Sequence, residues 1–281
     1  MIKLGVIAVV AALVLLPGGL VPARPSTQAS AKQKAIADLK QMAEAGDVKS
    51  QVQLGLAYVT GDGVGHDDLQ AVKWFRKAAD QDNPIGERYL AEMYFKGRGV
   101  PADNAEAAKW LRLAAEQDDA QSEHNLAVMY MQALGVPKNL KEAAKWMSRS
   151  AEQGLAAGEL GLGVLYENGY GVPEDPVEAV KWYRKAVAQD DPDALNNLAR
   201  LLATSRNASV RNPQEAIALA TKAVASGNNP DFLDTLAAAY FEAGQTEKAI
   251  EVEQKALALD PGNDFYKEAL QKYLGAANGK R

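Results

Sequence analysis

The sequence predicts an all-α fold, an α-solenoid of antiparallel helix pairs, and three spacings predict it. Trp74, Trp110, Trp146 and Trp182, the chain's four tryptophans, stand 36 residues apart. Tyr58, Tyr94, Tyr130 and Tyr166 keep the same interval, and so do the Gly-Val pairs beginning at Gly63, Gly99, Gly135 and Gly171. Self-similarity at a period of roughly 20 to 50 residues marks a stacked-repeat architecture. Each recurring position is explained by stacking one unit on the next, so specificity falls to the positions that vary.

The amino terminus comes first. Lys3 is followed by the uncharged run Leu4 to Leu16 and then by Pro17-Gly18-Gly19, a secretory signal-peptide pattern over residues 1–23. The run is shorter than the roughly 20 residues that cross a bilayer. Two small-residue cleavage patterns follow, Val21-Pro22-Ala23 and Ala29-Ser30-Ala31; the first lies at the usual distance, and the second would extend the segment to 31. The alternative is an uncleaved anchor continued through Leu20 and Val21, the only membrane contact the sequence suggests. Either reading places the repeats outside the cytoplasm, periplasmic or secreted in the one case and membrane-anchored in the other.

Residues 24–31 read as a linker and 32–46 as a half-repeat cap: Ala35, Ile36, Leu39, Met42 and Ala43 match the stripe of a second helix, with Asp38 where tryptophan would fall. Four regular repeats occupy 47–190. In the first, Ser50 to Thr60 form one helix, Gly61-Asp62-Gly63-Val64 a turn, and Asp67 to Gln81 a second helix. Leu54 and Tyr58 share a face of the first helix, with the small Gly55 where a neighbour must approach closely. Ala71, Trp74, Phe75, Ala78 and Ala79 form the apolar stripe of the second.

Glycine supplies the positive φ that ends each first helix. Asp67, Asp103, Asn139, Asp175 and Asn212 cap the second helices, each with Glu or Gln three residues on. Capping accounts for these five without a calcium ladder. Residues 191–227 form a divergent repeat in which Leu219 replaces tryptophan. A further repeat spans 228–262, a capping helix 263–274, and a disordered tail 275–281.

Composition narrows the function. Beyond residue 31 the balance is 29 Lys and Arg against 36 Asp and Glu, with no basic stripe for nucleic acid. The absence of cysteine excludes disulfides and thiolate chemistry, and His66 and His124 lack a second imidazole at metal-ligand spacing. No catalytic, cofactor or metal site is expected, and the chain reads as a non-enzyme.

The run Leu-Gly-x-x-Tyr, Gly-x-Gly-Val, Asp-x-x-x-Ala and Lys-Trp-x-x-x-Ala-Ala-x-Gln resembles the Sel-like repeat family, and Pro230 to Pro261 resembles a single tetratricopeptide repeat. Together they cover residues 47 to about 262. Ala133 departs from the turn glycine, Ser150 from the alanine at Ala78, and Glu253 from the usual aromatic, which weakens the expected packing of the last pair. The resemblance implies a right-handed superhelix whose first helices line a concave surface that binds proteins or peptides. Secreted bacterial relatives suggest an adaptor, an envelope-signalling regulator, or a scaffold in polysaccharide assembly and its synthetic machinery.

On the tetratricopeptide pattern the hollow is lined by Val52, Leu56 and Val59, then Arg88, Glu92 and Phe95, then His124, Val128 and Met131. Leu160, Val164 and Glu167 follow, with Asn196, Arg200, Asp234 and Phe241 beyond. An apolar strip of this length invites a partner. The competing expectation is that several of these side chains pack between neighbouring first helices. Arg200 beside Asn196 suits a peptide carboxylate. An interaction module is the first reading, a polysaccharide scaffold the second, and an enzyme with a convergent polar cluster the third.

Overall fold

The computed structural model describes residues 27–279, so the signal-peptide reading of 1–23 lies outside them. Among the described residues there are fourteen helices and no strand. The chain runs α1 Thr27–Glu44, α2 Val48–Thr60, α3 Asp68–Ala79, α4 Pro84–Lys96, α5 Asn104–Glu116, α6 Ala120–Gln132 and α7 Leu140–Glu152. It continues α8 Ala156–Asn168, α9 Pro176–Val187, α10 Pro192–Thr204, α11 Pro213–Ser226, α12 Pro230–Glu242, α13 Thr246–Leu259 and α14 Asp264–Gly279. Each helix packs on its sequence neighbour, so six pairs from α2–α3 to α12–α13 stack between α1 and α14.

Both ends are more helical than the sequence reading. The linker expected at 24–31 is helix from Thr27, because no Gly or Pro interrupts the chain between Thr27 and Ala45. The tail expected from 275 continues α14 to Gly279, since Ala276 and Ala277 are strong helix formers and Tyr273, one turn earlier, is buried.

The turns are built as their residues require. Gly61, Gly97 and Gly169 end α2, α4 and α8 with φ of 75°, 64° and 67°. Ala133 adopts the same left-handed backbone at φ 58° to end α6. The second turn glycine meets a different demand, since a Cβ on Gly99, Gly135 or Gly171 would collide with the carbonyl of Asp68, Asn104 or Leu140 respectively. Each turn therefore rests its main chain on the start of the second helix of the preceding unit.

The five expected second-helix caps form, while α13 begins at Gln245 without a side-chain cap. Asp67, Asp103, Asn139, Asp175 and Asn212 accept from the backbone N–H of Gln70, Glu106, Glu142, Glu178 and Glu215. First helices are capped at the same period by Asp47, Asn83, Asp119 and Asp191, while α8 begins at Leu155 without a side-chain cap.

Trp74, Trp110 and Trp146 are buried, and Trp182 is half-buried. Ser150 is buried as well, but its hydroxyl donates to the Ala120 carbonyl at 2.8 Å, so the polar atom is satisfied. A polar ladder runs through the units. Gln81 Nε2 donates to Gln51 Oε1 at 2.8 Å, and Gln117, Gln153 and Gln189 donate to the carboxylates of Glu87, Glu123 and Glu159 at 2.9, 2.7 and 2.7 Å. These acids are buried, and each ties the start of a first helix to the end of its own second helix.

Candidate partner-binding groove

The first helices α2, α4, α6, α8, α10 and α12 carry the residues expected to meet a partner. A cavity of about 610 Å³ opens between α4 and α6, lined by Arg88, Glu92, Phe95, His124 and Val128 from that expectation. The α12 helix packs directly on α10, so the array does not open in this way throughout. Ala91, Leu111 and Met129 are buried at the base, and Phe95 is 47% exposed, the one large apolar side chain of the expected set that stands open.

The rim is polar but internally neutralised. Arg88 Nε lies 3.1 Å from Asp119 Oδ1, and Lys96 Nζ lies 2.6 Å from Glu92 Oε1. Burial holds the His124 imidazole below its ordinary pKa, and its buried Nδ1 has no hydrogen-bond partner. A neutral ring is the form this environment favours. The arrangement offers an apolar base, one exposed aromatic ring, and amide groups on Gln121, Asn125 and Gln132. It is suited to holding a chain segment by burial and a few hydrogen bonds.

Several expected positions lie elsewhere. Val52 is buried at 8% exposure on α2, which has α1 packed against it, so it belongs to the packing of the first unit. Leu56, Val59 and Met131 are half-buried against the main core, and Leu160 and Val164 against the core of the next units. The long exposed apolar strip is therefore reduced: adjacent helices bury most of it.

Glu167 and Arg200 pair with each other at 2.9 Å, and the Tyr183 hydroxyl donates to Glu167 at 2.6 Å. The Arg200 guanidinium thus already holds a carboxylate from its own chain. Asn196 is half-buried with its Oδ1 unpartnered. Phe241 packs on Tyr273 of α14 with centroids 4.6 Å apart, so the terminal helix covers it.

Tyr89, Gln121, Asn125 and Gln132 line the cavity without having been singled out from sequence. Tyr89 stacks on Phe75 at 5.1 Å, bridging this unit to the one before. The signal was the helix period: 121, 125, 128 and 132 share one face of α6, a stripe wider than three positions per helix.

Known proteins share this architecture. The Sel1 repeat model matches residues 48–83, 84–119, 120–155, 156–191 and 192–228, so the divergent fifth unit also fits it. A Sel1 repeat protein from Oxalobacter formigenes superposes with a TM-score of 0.67 at 28% identity, over 82% of this chain and 92% of that one. A protective antigen of uropathogenic Escherichia coli with an SLR fold gives 0.58 at 30% identity, over 88% of this chain and 61% of that one. The TPR protein YrrB gives 0.53 at 18% identity, over 70% and 97%, a likeness of fold. No curated protein sequence matches the chain. Five consecutive matches, spanning the helix pairs from α2–α3 to α10–α11, make this chain a member of the Sel1 repeat family.

Proposed function

We propose that this chain is a protein-interaction module that seats an extended segment of a partner protein in the cavity between α4 and α6, outside the cytoplasm. The observation that carries the reading is the cavity itself. It has an apolar base, a charge-neutralised rim and the exposed ring of Phe95, on a repeat fold that commonly serves as a scaffold for protein binding. A partner side chain entering there gains about 25 cal/mol for each Å² of apolar surface it buries, enough for micromolar binding when a few side chains are well seated. The extracytoplasmic location is supported by the uncharged run Leu4 to Leu16 after Lys3. The mechanism is binding alone.

Peptides selected from a random display library on the full chain provide the test, with affinities read by fluorescence anisotropy. Phe95→Ala combined with Gln132→Ala is expected to weaken the selected peptides about tenfold or more while leaving the melting curve unchanged. Lys109→Ala, on an exposed side chain of α5, should change neither. Peptides that bind the double variant as tightly as the parent would remove the cavity from consideration.

A further inference from the structure

The carboxy-terminal end of the array is closed over two acids. Glu253 projects from α13 and is completely buried, and neither of its carboxylate oxygens has a hydrogen-bond partner. The group that faces it is Asp234 of α12, another acid. The expected loosening of this pair does not occur, because Ala249, Val252 and Ala256 keep α13 packed around the carboxyl group.

The surrounding groups supply no counter-charge. On α12, Asp231 accepts from the Tyr266 hydroxyl at 2.5 Å, and Glu242 is exposed. On α14, Tyr273 is buried against Phe241, and Lys272 Nζ stands over the Phe241 and Tyr273 rings at 4.7 and 5.9 Å. Asp260, in the turn between α13 and α14, adds a further acid near Tyr266. From the other side of α12, Arg200 of α10 turns to Glu167 and Glu215 of α11 to Arg184, while Asp193 and Lys222 are exposed.

Two adjacent carboxyl groups without a donor cannot both ionise at low cost; a proton on one of them provides the missing hydrogen bond. We propose that Asp234 and Glu253 form a proton-dependent latch: with a proton between them α14 stays closed on α12 and α13, and with both ionised α14 releases and uncovers the face around Leu236, Phe241 and Val252. That face is where another helix pair would stack in a longer array.

The electrostatics agree with this in direction. Burial, with the charge of Asp231 beside it, pushes Asp234 up to about 6, and burial with the charge of Asp234 pushes Glu253 up to about 8. Both folded values lie above the unfolded ones, so the protonated pair contributes its full stabilisation in acid. That contribution is lost as pH rises through those two values.

Hydrogen exchange of the full chain, corrected for the intrinsic pH dependence, tests the latch. Protection of residues 264–274 is expected to fall about tenfold or more between about pH 5.5 and pH 9. The α2–α3 unit, whose ladder position holds the neutral Gln51, should keep its protection. Glu253→Gln should abolish the fall, and Asp234→Asn serves the same purpose if circular dichroism shows the first variant misfolded. A parent chain with pH-independent protection in α14, or a neutralised variant that still loses it, overturns the proposal.

Discussion

Gly55 lies against the ring of Phe75, and a methyl group on its Cα would stand 2.5 Å from the ring's Cε1. Gly163 stands against Tyr183 at the same distance. The two intervening units use Ala91 with Leu111 and Ala127 with Met147, all buried in one core. A large ring is matched by glycine and a slimmer side chain by alanine, so the two positions share one space between the paired helices.

Gly55→Ala alone is therefore expected to destabilise by about 1–3 kcal/mol through overpacking. Phe75→Leu alone should lose about 1 kcal/mol or more of packing. The double variant, which installs the Ala–Leu pairing of the next unit, should lose less than the sum. Chemical denaturation of the four chains closes the cycle, and strict additivity would show that the two residues do not share one space.

Ala133 carries a Cβ at φ 58° where three sister turns have glycine. Left-handed backbone costs a non-glycine residue about 1–2 kcal/mol, partly offset by the greater freedom glycine brings to the unfolded chain. Ala133→Gly should raise stability by about 0.5–1 kcal/mol. A lower melting temperature would mean that the methyl group makes a contact that outweighs the strain.

Leu155 occupies the cap position of α8, and its backbone φ of −71° and ψ of 120° already suits a capping residue. Leu155→Asp should supply the missing acceptor and stabilise by about 1 kcal/mol, less whatever the half-buried leucine contributes. Urea midpoints of the two chains decide it, with no gain in the Asp variant counting against a vacant cap.

Burial, reinforced by Asp82 and Asp119, pushes Glu87 up to about 7 even though Gln117 donates to it. The folded value exceeds the unfolded one. The stabilisation it carries is thus complete below about pH 4.5 and declines until about pH 7. Glu87→Gln should flatten this part of the stability–pH profile and leave the chain more stable than the parent at pH 8, by about 1–3 kcal/mol. Thermal melts from pH 4 to pH 8 provide the check. The first unit already uses the neutral solution, a Gln51–Gln81 pair.

The fold was legible because stacking repeats its demands. Tryptophan, the turn glycines and the Asp or Asn caps recur at one interval, and each acts within a single unit or on its neighbour. The cavity was legible only through Arg88, Glu92, Phe95, His124 and Val128, since a per-helix pattern cannot say how far α4 stands from α6. Arg200 and Glu167 were assigned to one surface without revealing that they meet, because that contact bridges two units. Glu87, Glu123 and Glu159 carried a usable signal, a periodic acid with glutamine 30 residues later. An acid at a helix start is normally read as solvated, which concealed it.

Gly99, Gly135 and Gly171 bring their backbone directly against the backbone of the unit before, and beside Gly99 the Arg98 side chain adds an ion pair to Asp68 at 2.6 Å. Phe95, Gln121 and Gln132 line the cavity apart from those turn contacts, so exchanging them leaves the seating of one unit on the next as it is. The fifth unit departs from this: its loop from Thr204 to Arg211 has no glycine, so the close backbone approach made by Gly99, Gly135 and Gly171 is not made by a glycine there.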